Sequence, residues 1–225
     1  MKPRPARIEG VLFDLDGTLL DSAPDLYAAL VRQCAEEGVC APAYAPVREV
    51  VSRGSRAILR CAFADRGESA IEALVPRYLD LYEALVAQDT HAFDGVDALL
   101  AQLEARGIRW GVVTNKPGFL TDALLARIGW DARAAAVVSG DTLPVKKPDP
   151  APVLLACERA GIDPARSVFV GDDRRDVMAG AAAGLYTVAV RWGYLDGGNP
   201  DEWQADCVID HPGELTAWFA AEVSA

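Results

Sequence analysis

Residues 11–22 read VLFDLDGTLLDS, and this stretch places Asp14 and Asp16 directly after an apolar run. An apolar run without alternation is typical of a strand that is covered on both faces. Transfer of a carboxylate out of water is costly unless a cation or hydrogen-bond donors accompany it. Two carboxylates at the end of a buried strand therefore indicate a metal ion, a catalytic task, or both.

The composition excludes some classes of function. Of the 225 residues, 22 are basic and 33 are acidic, which gives a net charge of −11. Nucleic acids and anionic membranes attract basic surfaces, so we expect neither as a partner. The five cysteines form no CxxC pair, and we expect reduced thiols in a cytoplasmic protein. The N-terminal residues lead into no secretory segment, and no apolar run is long enough to span a membrane.

Six short apolar runs, rich in β-branched residues, predict the strands of a buried sheet. Segments with helical periodicity alternate with these runs, which is typical of an α/β fold with parallel strands. We therefore predict a doubly wound, mainly parallel, Rossmann-like sheet. The predicted strands cover residues 8–13, 110–113, 136–138, 168–170, 186–190 and 207–209.

Two of the predicted helices have recognisable ends. Asp94 and Asp97 resemble a capping pair, with Asp at the position that Glu usually occupies. Pro117 precedes the second helix, and Gly129 follows its last apolar residue. We expect the first helix to begin at the aspartates and the second to lie between Pro117 and Gly129.

The interval between the first two strands is too long for an ordinary crossover. Asp14 and Thr114 are 100 residues apart, whereas a strand–helix–strand unit takes about 30 residues. The residues between them carry helical patterning and no convincing strand. We predict a helical insertion at residues 21–90, with residues 1–20 and 91–225 forming the α/β core domain.

Polar residues follow several of the predicted strands. In open α/β sheets, ligands bind outside the carboxyl ends of the strands, so these residues should converge in one crevice. Carboxylates alone would repel a phosphate, but Mg²⁺ and a lysine would offset their charge. The combination therefore predicts a magnesium and phosphate site. Its candidate residues are Asp14, Asp16, Thr114, Asn115, Lys147, Asp172, Asp173 and Asp176.

Four segments, DLDGTLLDS, VVTNK, KKPDP and VGDDRRD, occur in this order and resemble the four motifs of the haloacid dehalogenase superfamily. Within it, the chain is most similar to the phosphoglycolate phosphatase-like group with a helical cap. The stretches WGVVTNKP, VGDDRRD and VIDHPGEL are also similar to the N-acetylmuramic acid 6-phosphate phosphatases. The resemblance extends over nearly the whole chain and implies Mg²⁺-dependent hydrolysis of a phosphomonoester.

The resemblance also implies roles for single residues. Asp14 is the nucleophile that forms an aspartyl-phosphate. Asp16 protonates the leaving alcohol and then activates water as a base. Thr114 and the backbone N–H of Asn115 bind the phosphoryl oxygens, and Lys147 neutralises their charge.

The implied metal site is built from three residues. Asp172 binds Mg²⁺ together with the Asp14 side chain and the carbonyl oxygen of Asp16. The last motif departs from the family pattern, because Asp173 replaces a serine. We expect Asp173 to bind the metal directly or to support its ligands, and Asp176 to bind metal-held water or to fix the loop.

The helical insertion carries the clues to the substrate. It contains no lysine, so the Schiff-base chemistry of relatives that cleave carbon–phosphorus bonds is not expected. Asp16 argues for phosphoryl transfer rather than dehalogenation. By resemblance, Arg56 after Gly54 is the candidate to hold the substrate, and an arginine fork suits a carboxylate.

These features favour a small phosphorylated metabolite with a carboxylate as the substrate, with 2-phosphoglycolate ahead of N-acetylmuramic acid 6-phosphate. A sugar-phosphate mutase and a non-catalytic protein that binds a phosphometabolite stay open as alternatives. We expect a monomer or a homodimer.

Overall fold

The computed structural model describes residues 2–220, so that residue 1 and residues 221–225 of the predicted core lie outside it. Its main sheet has six strands in the order β5-β4-β1-β6-β7-β8, all of them parallel. Each of the six predicted runs coincides with one of these strands, which confirms the predicted fold class. The strands are β1 (Gly10–Phe13), β2 (Leu20–Asp21), β3 (His91–Ala92), β4 (Arg109–Val113), β5 (Ala136–Val138), β6 (Ser167–Gly171), β7 (Tyr186–Val190) and β8 (Cys207–Ile209).

Helices cover both faces of the main sheet, which explains why its strands are apolar throughout. Side chains of β1 alternate between two hydrophobic clusters: Val11 and Phe13 enter one, and Leu12 enters the other. The helices of the protein are α1 (Ala23–Glu36), α2 (Tyr44–Glu49), α3 (Ser55–Ala62), α4 (Glu68–Leu85), α5 (Val96–Ala105), α6 (Gly118–Ile128), α7 (Ala151–Ala160), α8 (Arg174–Ala182) and α9 (Pro212–Ala220). None of these described helices is both long and apolar enough to cross a bilayer.

The order of the strands places a crevice at the end of β1. The chain adds β4 and then β5 on one side of β1, and β6, β7 and β8 on the other. The connections to the two neighbours of β1 therefore run in opposite directions, which opens a crevice at the carboxyl end of this strand. Residues that follow β1, β4 and β6 line its sides.

Helices α1–α4 occupy the interval that was predicted to be helical. Helices α1 and α3 both pack against α4, and the Tyr78 hydroxyl donates to the carbonyl oxygen of Leu26 over 2.9 Å. The chain enters and leaves this region through β2 and β3, which form an antiparallel pair. The two points at which the chain passes between the core and the helical insertion therefore lie side by side.

One predicted helix start is wrong and another is confirmed. Helix α5 begins after Gly95, whose φ of 84° is left-handed, and no side chain caps it. Asp94 precedes this turn, so its carboxylate is not at the capping position. Helix α6 lies between Pro117 and Gly129 as predicted, and Gly129 ends it in the left-handed conformation.

Candidate active site

The crevice at the end of β1 contains the predicted site residues. Asp14 follows β1, Thr114 follows β4 and Asp172 follows β6, and these three strands are direct neighbours. A cavity of about 420 Å³ opens over them. Asp172 lies beneath it and is fully buried. The predicted residues that line the cavity are Asp14, Asp16, Arg56, Thr114, Asn115, Lys147, Asp173 and Asp176.

Three carboxylates converge at the floor of this cavity. One oxygen each of Asp14, Asp172 and Asp176 lies within 4.8 Å of the others. Burial, followed by the charges of Asp14 and Asp176, raises the pKa of Asp172 well above its ordinary value. Burial is also the main cause that raises the pKa of Asp176 to about 7. The cluster therefore carries more negative charge than its surroundings balance.

Two hydrogen bonds hold Asp172 in the cluster. Its Oδ1 accepts from the Thr18 hydroxyl and its Oδ2 from the Tyr194 backbone N–H, each over 2.8 Å. Gly17 makes the close packing possible, because a Cβ on it would lie 2.1 Å from Asp172 Oδ2. The φ of Gly17 is also left-handed, at 91°, a conformation that other residues rarely adopt. The glycine of the DLDG segment is thus required by the position of Asp172.

Lys147 is the cation of the cluster. Its Nζ lies 2.8 Å from Asp14 Oδ1 and 2.7 Å from Asp176 Oδ1. Burial opposes the charge of Lys147, but the two carboxylates outweigh it and raise the pKa of its ammonium. One ammonium therefore contacts two of the three clustered carboxylates, those of Asp14 and Asp176.

The Asn115 side chain positions Lys147. Its amide nitrogen donates to the Lys147 carbonyl oxygen, and its amide oxygen accepts from the Lys147 backbone N–H, both over 3.1 Å. This exchange joins the loop after β4 to the loop that carries Lys147. Thr114 Oγ1 accepts from the Lys116 backbone N–H over 3.1 Å. The Asn115 side chain thus bonds to the backbone of Lys147, and its predicted contact to phosphate concerns the backbone N–H.

Asp173 and Asp176 form a capping box at the start of α8. Asp173 also pairs with Arg175, whose Nε and Nη2 donate over 2.7 and 2.6 Å. The carboxylate of Asp173 is directed at the helix and at Arg175, and its role toward the metal stays a prediction. Arg175 Nη2 also donates to the carbonyl oxygen of Ser52 over 2.7 Å, which links α8 to the helical insertion.

Sequence reasoning missed Lys116, the buried cation beside Asp16. Lys116 Nζ lies 3.0 and 3.1 Å from the two carboxylate oxygens of Asp16. Asp16 Oδ1 also accepts from the Ser22 hydroxyl over 2.5 Å. Lys116 lies inside the VVTNK segment, but a lysine after a strand is usually exposed. A lysine two residues after a candidate phosphate ligand was the available signal.

The side of the cavity formed by the helical insertion is mostly apolar. Arg56 lies on this side, but its Nε and Nη2 each donate to a Glu72 oxygen over 2.6 Å. Its contact to substrate therefore stays a prediction. Arg53 and Arg60 form ion pairs with Asp196 and Glu68. The apolar residues on this side are Leu26, Val51, Ile58, Val75, Tyr78, Leu79 and Tyr82.

Comparison with known proteins gives the family. The family model described as "Haloacid dehalogenase-like hydrolase" matches residues 11–190, which include every candidate site residue. The chain belongs to the haloacid dehalogenase-like hydrolase family. This confirms the resemblance of the four motifs.

The relatives of the chain within this family are phosphatases. A phosphoglycolate phosphatase of Xanthomonas campestris is 48% identical over 212 residues, covering 92% of this chain and 96% of the relative. An N-acetylmuramic acid 6-phosphate phosphatase of Pseudomonas aeruginosa is 44% identical over 211 residues, covering 93% of each. The crystal structure of a predicted phosphoglycolate phosphatase of Haemophilus somnus superposes with a TM-score of 0.85 at 25% identity, covering 94% of this chain and 98% of that one. The protein is accordingly a phosphatase that hydrolyses phosphomonoesters.

The acidic cluster fits a divalent cation, as is typical of phosphatases of this family. Three carboxylate oxygens within 4.8 Å of one another offer ligands of the kind that hard cations prefer. A divalent ion would also balance the carboxylates that Lys147 leaves uncompensated.

Proposed function

We propose that the protein hydrolyses its phosphomonoester through an aspartyl-phosphate on Asp14, with Mg²⁺ as the cofactor. The observation that carries this proposal is the convergence of Asp14, Asp172 and Asp176 at the end of β1, where Lys147 contacts Asp14 and Asp176. A carboxylate beside a buried ammonium, at the floor of an open cavity, is placed to attack a phosphorus atom. Asp16 would give a proton to the leaving alcohol and later accept one from water.

The remaining residues would bind the phosphoryl group. The Thr114 hydroxyl and the Asn115 N–H would donate to its oxygens, and Lys147 would offset its charge. Mg²⁺ would be held by the carboxylates of Asp14 and Asp172 and the carbonyl oxygen of Asp16. When bound, the ion would stabilise negative charge on the transferring group. Asp176 would keep Lys147 in place, and Asp173 would fix α8 below it.

We propose 2-phosphoglycolate as the substrate. Support comes from the relatives named phosphoglycolate phosphatase at 48% and 45% identity. Arg53 and Arg56 line the side of the cavity that the helical insertion forms, and an arginine released from its partner in the protein would suit a carboxylate. Residues 21–90 would act as a cap over this substrate. The free state of the five cysteines, all among the described residues, suits a reducing compartment, and we propose a cytoplasmic monomer or homodimer.

A second candidate is N-acetylmuramic acid 6-phosphate. The cavity of about 420 Å³ is large for a two-carbon leaving group, and one side of it is apolar. The methyl groups of an acetylated sugar acid would bury well against such a side. A relative at 44% identity carries this activity in its name.

The test is phosphate release with Mg²⁺ from 2-phosphoglycolate, N-acetylmuramic acid 6-phosphate and p-nitrophenyl phosphate. We expect turnover of all three, with the highest kcat/KM for 2-phosphoglycolate, and loss of activity in EDTA. A higher kcat/KM for the sugar acid would establish the second candidate. Isomerisation without phosphate release would indicate a mutase. Thermal stabilisation by these ligands without any reaction would indicate a binding protein.

A further inference from the structure

Lys116 lies in the loop between β4 and α6, and only 6% of its side chain is exposed. Its Nζ contacts both carboxylate oxygens of Asp16 and lies 2.8 Å from the Tyr82 hydroxyl oxygen. An ammonium has three N–H donors, and these three oxygens account for all of them. In this arrangement Lys116 has no donor left for a substrate, so its effect is exerted on Asp16.

Asp16 is fixed from two directions while it lines the cavity. Lys116 bridges its two oxygens, and the Ser22 hydroxyl donates to Oδ1. The side chain remains 17% exposed, so it can still meet a reactant. An ammonium that bridges both oxygens fixes the direction of the carboxylate. A carboxylate held in this way can accept a proton from a water molecule in front of it.

The groups that hold Asp16, either directly or through Lys116, come from separate parts of the chain. Lys116 belongs to the core, Tyr82 lies on α4, and Ser22 precedes α1. Tyr82 is fully buried, and its ring also lies 4.5 Å from Lys116 Nζ. The orientation of Asp16 therefore depends on how α4 packs over the loop that carries Lys116.

We propose that Lys116 is a positioning residue that orients the Asp16 carboxylate toward the attacking water, and that Tyr82 couples this orientation to the helical insertion. The proposal rests on the proposed function and concerns its second half. There, a water oxygen bonds to phosphorus, the bond between phosphorus and Asp14 breaks, and one water proton passes to Asp16. Asp16 gives this proton to the next leaving alcohol, while Lys116 stays protonated throughout.

The two lysines of the site thus have different roles in the proposed reaction. Lys147 serves Asp14 and the phosphoryl group, which take part in both halves of the reaction. Lys116 orients Asp16, which accepts the water proton in the second half. With a substrate whose leaving group departs without proton donation, loss of Lys116 should therefore slow hydrolysis of the aspartyl-phosphate more than its formation.

The experiment is rapid-mixing kinetics of the Lys116→Met variant with p-nitrophenyl phosphate and Mg²⁺. We expect a burst of p-nitrophenolate of about one equivalent per enzyme, because its leaving group departs without proton donation. The steady rate that follows should lie roughly 10- to 100-fold below wild type, the scale expected when a reacting group is misplaced. Acid quenching with ³²P-labelled substrate should trap the accumulated phosphoenzyme. A reduced steady rate without a burst, or an unchanged steady rate, would overturn the proposal.

A second variant keeps the test decisive if Lys116→Met does not fold. Tyr82→Phe removes one hydroxyl and keeps the ring, and it should give the same burst with a smaller decrease of the steady rate. Tyr27→Phe is the matched control, because this hydroxyl donates to the Pro42 carbonyl oxygen within the helical insertion and lies outside the cavity. Burst kinetics in Tyr27→Phe, or their absence in a folded Tyr82→Phe, would count against the coupling.

Failure of the inference can be told from failure of the proposed function. A wild-type protein without phosphatase activity, or an Asp14→Asn variant that retains it, would remove the proposed function. An active wild type with an inactive Asp14→Asn variant, combined with no burst in either Lys116→Met or Tyr82→Phe, would remove only the role of Lys116.

Discussion

The two sides of the cavity differ in chemistry and in construction. On the core side, charged groups lie at the ends of adjacent parallel strands, and each buried ammonium contacts carboxylates: Lys147 contacts Asp14 and Asp176, and Lys116 contacts Asp16. On the side of the helical insertion, the lining is mainly apolar, and Arg56 is paired with Glu72. In the proposed function, the core side would carry out the phosphoryl transfer, and the side of the helical insertion would contact the leaving group of the substrate.

This difference indicates on which side of the cavity substitutions should reduce the activity most. A parallel sheet fixes its strand ends through ladders on both sides, so the groups that follow β1, β4 and β6 have little freedom to adjust. The helices of the insertion contact the core through side chains, as in the hydrogen bonds from Arg175 to Ser52 and from Lys116 to Tyr82. We expect changes on the core side to abolish the reaction and changes on the other side to alter substrate preference.

The largest effect is expected for Asp14→Asn. An amide cannot take up the phosphoryl group, so we expect kcat for p-nitrophenyl phosphate to fall by at least about 10⁴-fold. The fold should persist, because the substitution removes one of three converging negative charges. Phosphate release and far-UV circular dichroism check both statements. Asp131→Asn, at an exposed position outside the site, is the matched control. Turnover by Asp14→Asn at a rate near that of this control would contradict the assignment of Asp14 as the nucleophile.

Lys147→Met should be the next most severe change. Removal of one partner from a buried ion pair leaves uncompensated charge, which costs about 3–5 kcal/mol in the free energy of unfolding. Urea denaturation without metal measures this loss, and activity should vanish with it. Adding Asp176→Asn should recover part of the stability, because the two residues share one network. Independent, additive effects of the two substitutions would contradict the network.

Metal binding and pH should be linked with a definite sign. Burial, ahead of the neighbouring charges, raises the pKa of Asp172 and of Asp176 above the value of 3.8 for an unfolded aspartate. The folded metal-free protein keeps protons that the unfolded chain has released, so its stability should fall as pH rises from about 4 to about 7. A divalent ion competes with these protons, so Mg²⁺ should stabilise the protein more at higher pH.

Thermal denaturation at about pH 5 and pH 8, with EDTA or with Mg²⁺, measures this linkage. We expect the increase in Tm on adding Mg²⁺ to be larger at the higher pH and to be lost in Asp172→Asn. An increase that is equal at both pH values would show that the ion binds elsewhere.

The smallest effect is expected on the side of the helical insertion. The guanidinium of Arg56 is exposed and already forked onto Glu72, so Arg56→Gln should change KM for 2-phosphoglycolate by less than about threefold, with kcat unaffected. Glu72→Gln frees the arginine and is the complementary variant. A large increase of KM in Arg56→Gln alone would confirm the substrate contact that the sequence predicts.

The sequence predicted the sheet and the core side of the site well for a physical reason. Strands that are covered on both faces must be apolar throughout, and polar residues behind them, such as Asp14 and Asp172, then stand out. Lys116 was missed because its partner Tyr82 lies 34 residues earlier on a helix, and only tertiary packing brings them together. The predicted cap at Asp94 was wrong because a left-handed glycine starts α5 instead. The sequence could not predict the orientation of the Asp173 carboxylate, because it depends on Arg175, whose side chain could have pointed to solvent.

The short ladder between β2 and β3 has a consequence for how this family could diversify. It brings the two crossing points of the helical insertion together, with Leu20 paired to Ala92 and Asp21 to His91. A chimera that replaces the stretch between them would leave the strands of the main sheet and Asp14 in place. Ser22 and Tyr82 lie within this stretch: Ser22 contacts Asp16 directly, and Tyr82 contacts it through Lys116. A transplanted insertion that lacks these two side chains would bring new substrate contacts but would leave Asp16 misaligned as the base.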